Sequence, residues 1–161
     1  MKLYHGSNIE VRNPKIIVSA RMLDFGAGFY ATSGFEQAKH WANLQTKRRR
    51  TGKPIVSVYE LDIELLQKQL KVMRFESANK EWLHFLAENR KGVYTGEKYD
   101  IVIGAVANDN TMTVISDYMT GTIDEETALL LLLSQKLKDQ YAFLTWKGLS
   151  ALKFIEVKDY D

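Results

Sequence analysis

The sequence of 161 residues contains no cysteine, and this absence excludes a disulfide framework, a thiolate zinc site and a cysteine nucleophile. It holds two prolines, Pro14 and Pro54, and no stretch rich in serine and glycine, so nothing marks a linker or a domain boundary. We therefore expect a single domain over residues 1–161. With 22 Lys and Arg against 20 Asp and Glu, the net charge of +2 indicates no strong attraction to nucleic acid or to a membrane.

Long apolar runs are also missing. The longest, ALLLLL at residues 128–133, is much shorter than the roughly 18 apolar residues of a membrane span. The first residues, MKLYHGSNIEV, lack the apolar stretch of a signal peptide. We expect a cytoplasmic protein with no membrane partner, in which ALLLLL forms part of a buried helix.

The pattern of apolar residues predicts strands and helices that do not alternate regularly, which favours an α+β fold. Strands are predicted at residues 2–6, 55–62, 70–75, 99–107, 140–145 and 152–157, and helices at 35–49, 79–91 and 126–137. A loop is expected from the first strand to about residue 23. Two capping boxes, Ser33 with Glu36 and Thr122 with Glu125, are predicted to start the first and last helices. The predicted inner face of the first helix consists of Phe35, Ala38, Trp41 and Ala42.

The stretch FGAGFYA at residues 25–31 fits the degenerate G-x-G-x-x-G/A pattern of a dinucleotide-binding turn. Its context argues against that turn, because the helix signal begins at Ser33, too late for a helix N-terminus to meet a pyrophosphate. A second interpretation is that Gly26 and Gly28 permit positive φ in a turn while Phe29 and Tyr30 pack in the core. The motif alone does not decide between a binding and a packing role.

Three segments taken together resemble the signature strands of the ADP-ribosyltransferase superfamily. They are LYHGS at 3–7, FGAGFYAT at 25–32 followed by QAKHWA, and DQYAFLT at 139–145. The chain is similar to the His-Tyr-Glu branch, which includes diphtheria toxin and the poly(ADP-ribose) polymerases. It looks most similar to a bacterial domain family of this fold found partly at toxin–antitoxin-like loci. The resemblance extends from residue 3 to about residue 157 and implies a split mixed β-sheet with peripheral helices.

The resemblance also implies that NAD is the substrate and that no metal is needed. His5 would bind the adenosine ribose, Gly6 would offer its N–H and C=O to the nicotinamide carboxamide, and Tyr30 would stack on the nicotinamide ring. These residue types suit the task, because a tyrosine face holds a flat ring and a neutral imidazole both donates and accepts. The implied NAD-binding residues are His5, Gly6, Gly26, Gly28, Phe29 and Tyr30, and the implied catalytic residues are His5, Tyr30 and Gln140.

Gln140 departs from the pattern, because the efficient transferases of this branch carry glutamate at that position. A glutamine keeps a hydrogen bond through its carbonyl but supplies neither a charge nor a base. Losing one such electrostatic interaction costs about 10²–10³ in rate. Of the nearby carboxylates, Asp139 is expected on the opposite strand face, which leaves Asp109, after the strand at 99–107, as a weak substitute.

These considerations favour a mono-ADP-ribosyltransferase that modifies a macromolecular acceptor, with protein favoured over nucleic acid. The resemblance suggests a toxin role with an antitoxin protein as partner. The alternative is an NAD-binding module without catalysis, which the glutamine favours. The related RNA 2′-phosphotransferase branch is a third possibility, but no arginine-rich set matching it is present.

The remaining polar features carry weaker signals. The segment TKRRRTGK at 46–53 contains Lys47, Arg48, Arg49, Arg50 and Lys53. These cations either complement the C-terminus of the first helix or bind the phosphates of a nucleic acid. His40 and His84 lack partners at metal-ligand spacing and are interpreted as structural or surface residues.

Overall fold

The computed structural model of the protein describes residues 1–18 and 23–159, so the end of the loop predicted to reach residue 23 lies partly outside the described residues. Seven strands are described: β1 (Lys2–Ser7), β2 (Phe29–Ala31), β3 (Ile55–Leu61), β4 (Val72–Arg74), β5 (Ile101–Ala105), β6 (Asp139–Phe143) and β7 (Leu152–Asp159). The described helices are α1 (Phe35–Arg49), α2 (Ile63–Gln69), α3 (Lys80–Lys91), α4 (Asp109–Met119), α5 (Glu125–Leu133) and α6 (Trp146–Leu149). The α+β fold is confirmed.

The strands form two sheets. The first has the order β1-β3-β7 and is antiparallel throughout. The second has the order β2-β6-β5-β4 and is mixed, because β4 and β5 are parallel. An isolated antiparallel bridge between Tyr4 and Thr32 links β1 to the end of β2. We call this pair of residues the seam.

Side-chain alternation along β6 separates two apolar clusters. Tyr141 and Phe143 point into a cluster that also takes Leu3 and Tyr59 from the first sheet. Ala142 points to the other face, where Trp82 and its neighbours on α3 form the second cluster. Since successive residues of a strand face opposite sides, Gln140 shares the face of Ala142.

Helix α1 has the predicted bounds but not the predicted cap. Its N-cap is Gly34, which makes no side-chain capping bond. Ser33 instead directs its hydroxyl and its N–H to the carboxylate of Asp139. The prediction of this capping box was therefore wrong, because Ser33 bonds the Asp139 carboxylate and not the N-terminus of the helix. Of the predicted inner face, Ala38 and Ala42 are buried, whereas Phe35 and Trp41 are partly exposed.

The last predicted helix differs in its ends and in its burial. Asp124, not Thr122, caps α5 by accepting from the N–H of Thr127, and the helix stops at Leu133. Ala128 and Leu132 are buried, but Leu130, Leu131 and Leu133 are exposed. The expectation that ALLLLL is buried was therefore wrong for half of its length.

Candidate functional site

The strands β1 and β2 separate immediately beyond the seam, and this separation opens the candidate site. The N–H of Leu61 donates to Met1 O at 2.8 Å, whereas the N–H of Tyr4 donates to Thr32 O at 2.8 Å, on the other side of β1. Because backbone groups alternate between the two sides of an antiparallel strand, the N–H and C=O of Gly6 point the same way as those of Tyr4. No described residue hydrogen-bonds them there. Gly6 therefore presents a donor and an acceptor at an unpaired strand edge.

His5 holds one fixed tautomer. Its Nδ1 lies 2.6 Å from the main-chain oxygen of Tyr30. A carbonyl oxygen can only accept, so Nδ1 carries the proton and Nε2 is left as an acceptor. The ring packs on Phe29 with the centroids 4.2 Å apart. The neutral ring thus offers a ligand an acceptor, not the donor and acceptor together that the sequence suggested.

Burial keeps this imidazole uncharged. Desolvation lowers the pKa of His5 from 6.5 to about 4, the hydrogen bond to the Tyr30 carbonyl opposes that change, and the charge of Arg49 adds to the lowering. The ring is therefore neutral at physiological pH. Its Nε2 can accept a hydrogen bond from a hydroxyl while the ring stays neutral.

We expect the stability of the protein to fall as the pH drops from about 6.5 to about 4. The folded pKa lies below the unfolded one, so the unfolded chain binds an extra proton throughout that window. The loss is at most about 3 kcal/mol, and less because the ring is partly exposed. Urea unfolding at several pH values measures it. His5→Asn, which keeps a donor for Tyr30 but cannot titrate, should lose this part of the pH dependence; a His5 titration midpoint near 6.5 by NMR would contradict the expectation.

Tyr30 is anchored by its hydroxyl. The oxygen accepts from the N–H of Phe25 at 2.9 Å and donates to the carbonyl of Gly26 at 2.6 Å. Burial is the largest cause of a raised pKa for this phenol, so it stays protonated. The ring remains half-buried beside the second cluster. It is a fixed aromatic surface of the kind that stacking requires.

The glycine element combines turn and packing roles. Gly26 has φ +96°, a conformation that favours glycine. A Cβ at Gly28 would lie 2.6 Å from the main-chain oxygen of Phe143, so Gly28 permits close approach to β6. Phe29 is 5% exposed and belongs to the first cluster. Among the predicted NAD-binding residues, Gly28 and Phe29 therefore act at least as packing residues that support His5 and Tyr30.

Gln140 is buried, with 4% of its surface exposed. Its Nε2 donates to Asp24 Oδ2 at 3.0 Å and to Ala105 O at 3.2 Å. Both partners are acceptors, so the amide nitrogen must face them and Oε1 must face away. No described residue donates to Oε1, and no described buried side-chain oxygen lacks a partner. Oε1 therefore keeps contact with solvent.

Two of the three predicted catalytic residues, Tyr30 and Gln140, lie on the same face of the second sheet, and His5 does not. Tyr30 pairs with Ala142, so its ring and Gln140 share one face of the second sheet. The His5 ring lies on the other side of β2, against Phe29, and contacts the main chain of Tyr30. His5 and Gln140 are thus connected through Tyr30, not by direct contact.

Sequence reasoning missed Asp24, which accepts a hydrogen bond from Gln140, and Arg90, which bonds Asp24. Arg90 donates through Nε at 2.7 Å to Asp24 Oδ1, and its Nη2 forms an ion pair with the same oxygen at 2.5 Å. The two residues are far apart in the chain, and no spacing signal connects them. Asp139 points away from Gln140, as expected, and accepts from Thr32 and Ser33. Asp109 is an exposed residue in the first turn of α4.

The basic cluster approaches the site at one residue. Arg49 donates to Asn8 Oδ1 at 2.8 Å and lies close enough to His5 to affect its pKa. Lys53 pairs with Asp159.

His84 lies against Glu125, and within residues 1–18 and 23–159 no group of acidic or histidine side chains is placed to hold a metal.

A surface cleft of about 700 Å³ lies elsewhere, between α5 and the second sheet. It takes in Gly104, Ala105 and Asp139 but not His5, Tyr30 or Gln140.

In the part of the chain that the structure describes, no helix has the length and apolarity that a bilayer span requires.

Comparison with known proteins gives one match. A family model described as "Protein of unknown function (DUF3990)" matches residues 1–154. No curated protein and no solved structure matches the chain. Since the family model covers nearly the whole sequence, the chain belongs to the DUF3990 family.

Proposed function

We propose that the protein is a mono-ADP-ribosyltransferase that uses NAD to modify a macromolecular acceptor. The observation that carries this proposal is the opening beyond the seam, where the Gly6 edge is unpaired and the His5 ring bonds the main chain of Tyr30. The His5 ring takes the Tyr30 carbonyl that would otherwise face Gly6 across the gap. A planar carboxamide, with one donor and one acceptor side, complements the edge that is left.

The proposed arrangement assigns one residue to each part of NAD in turn. The Gly6 N–H and C=O would hold the carboxamide, the Tyr30 ring would stack on the nicotinamide, and His5 Nε2 would accept from an adenosine-ribose hydroxyl. Arg49, beside His5, adds positive charge where the anionic half of the ligand would lie. Cleavage of the bond between nicotinamide and ribose builds positive charge on the sugar, so fixing the ring and the sugar in one pose is a large part of the catalytic task.

Gln140 limits the rate under this proposal. Its Oε1 would accept from the 2′-hydroxyl of the nicotinamide ribose and so stabilise the charge that develops there. It cannot remove a proton from the acceptor. We therefore propose transfer of single ADP-ribose units, without chain elongation.

The test is incubation of the purified protein with adenylate-labelled NAD and a bacterial lysate. We expect label on macromolecules, removed by protease if the acceptor is protein and by nuclease if it is nucleic acid. Tyr30→Ala should abolish labelling, whereas Tyr99→Ala, which removes a partly exposed tyrosine bonded to Glu97, should not. Absence of label together with no NAD binding by calorimetry would overturn the proposal.

A second candidate, an NAD-binding module without catalysis, is favoured by the buried amide at position 140. Calorimetry would then show NAD binding, with no release of nicotinamide and no labelled acceptor. Under the first proposal, a toxin role and an antitoxin partner follow from the family resemblance. Growth arrest on expression, relieved by Tyr30→Ala, would support that role.

A further inference from the structure

The Asp24 carboxylate lies between a cation and the Gln140 amide. One oxygen, Oδ1, accepts a hydrogen bond from Arg90 Nε and forms an ion pair with Nη2, and the other, Oδ2, accepts from Gln140 Nε2 at 3.0 Å. The Asp24 side chain is 8% exposed and that of Arg90 is 23% exposed. Such a carboxylate has a single role for each oxygen and little freedom to turn.

This carboxylate belongs to the same short segment that anchors Tyr30. Phe25 N–H and Gly26 C=O, the next two residues, hold the Tyr30 hydroxyl. Residues 24–26 therefore fix the amide of Gln140 through a side chain and the ring of Tyr30 through the main chain. One short segment therefore fixes the positions of both the Tyr30 ring and the Gln140 amide.

The Asp24 carboxylate, together with the Ala105 carbonyl, holds the nitrogen of the Gln140 amide inward and its oxygen outward. The amide nitrogen is drawn to the carboxylate, and the carboxylate also polarises the amide, so that Oε1 becomes a stronger acceptor. With asparagine at position 24, its one oxygen would remain with the Arg90 cation and its NH₂ would face Gln140. That NH₂ and the Ala105 carbonyl would then favour opposite orientations of the Gln140 amide, so Oε1 would no longer be fixed outward.

We propose that Asp24 is a positioning residue, which holds Gln140 so that Oε1 accepts from the 2′-hydroxyl of the nicotinamide ribose. This inference rests on the proposed function. It also explains the glutamine: a glutamate at position 140 would face the Asp24 carboxylate and the Ala105 carbonyl, three acceptors with no proton among them. At this site the negative charge is carried by Asp24, which contacts Gln140, and not by residue 140 itself.

The test compares NAD with an analogue in which fluorine replaces that 2′-hydroxyl. Fluorine accepts weakly and cannot donate, so an outward Oε1 discriminates against it, whereas an outward NH₂ does not. We expect the wild-type protein to bind NAD about tenfold more tightly than the analogue. In Asp24→Asn the preference should fall to about onefold to twofold, and Asp117→Asn, on α4, should behave as wild type.

A double variant keeps the test decisive if Asp24→Asn folds poorly. Asp24→Asn combined with Gln140→Glu exchanges the amide and the carboxylate, so an oxygen again faces the ligand, and the roughly tenfold preference should return. An unchanged preference in a folded Asp24→Asn, or no preference in the wild type despite NAD binding, would overturn the role of Asp24 and leave the proposed function standing. Failure of the wild-type protein to bind either ligand would instead overturn the proposed function, and this inference with it.

Discussion

Gly6→Ala is expected to destabilise the protein by at least about 3 kcal/mol, lowering the melting temperature by roughly 10 °C. A Cβ at this position would lie 1.8 Å from the oxygen of Ala38 and 2.6 Å from the nitrogen of Ala42. Both are backbone atoms of α1, so no side chain can turn aside to make room. The helix must move away from β1, and it would take the buried Ala38 and Ala42 out of contact with Val56.

Gly34→Ser is the matched control for that substitution. Gly34 is the N-cap of α1, its φ of −99° suits any residue, and the nearest atom to an added Cβ is 3.8 Å away. Serine there should be neutral or stabilise by a few tenths of a kcal/mol, because its hydroxyl can cap the helix. Thermal unfolding followed by circular dichroism measures both variants. Equal stability of Gly6→Ala and the wild type would show that α1 does not lie as close to β1 as described.

Gln140→Glu should cost about 3 kcal/mol at pH 8 and very little at pH 4. The new carboxylate would replace an amide nitrogen that lies 3.0 Å from Asp24 Oδ2 and 3.2 Å from Ala105 O. Two carboxylates at that distance cannot both be ionised at low cost, so the folded state raises the pKa of the pair. A raised folded pKa means that the deficit is absent below about pH 4 and grows as the pH rises above it.

Urea unfolding of this variant and the wild type between pH 4 and pH 8 measures the difference. Gln140→Met, which loses the same hydrogen bonds but cannot ionise, supplies the control and should show a deficit that does not change over this range. A Gln140→Glu variant as stable as the wild type at pH 8 would mean that Arg90 neutralises both carboxylates. The electrostatic explanation for glutamine at this position would then be wrong.

Regular local patterns allowed most of the fold to be predicted. The strand at 55–62 and the helix at 79–91 appear as Ile55–Leu61 and Lys80–Lys91, because alternation and an apolar stripe report directly on burial. Helices α2, α4 and the short α6 were missed. Helix α2 is seven residues long and begins at the capping side chain Asp62, directly after β3, whereas α4 begins at Asn108, which Val106 and Ala107 separate from β5. Helix capping competes with tertiary hydrogen bonds, and Ser33, the predicted cap of α1, bonds the Asp139 carboxylate instead.

The site was predictable to the extent that it is local in sequence. His5 with Gly6, and Gly28 with Tyr30, lie within short motifs, and their neighbours could be identified from the resemblance. The tautomer of His5 depends on the Tyr30 carbonyl, 25 residues away, and the orientation of Gln140 depends on Asp24, 116 residues away. Distances of that kind are set by strand pairing and by the packing of α3, which no motif encodes.

The seam has a mechanical consequence. It consists of two main-chain hydrogen bonds, of 2.8 Å and 2.9 Å, between Tyr4 on β1 and Thr32, the residue that follows β2. Because each such bond contributes about 1 kcal/mol net, the mouth of the candidate site can breathe without global unfolding, while the shared apolar cluster keeps the sheets together. The amide protons of Tyr4 and Thr32 would then exchange with deuterium well before those of β5, and an occupant bridging the gap would slow them.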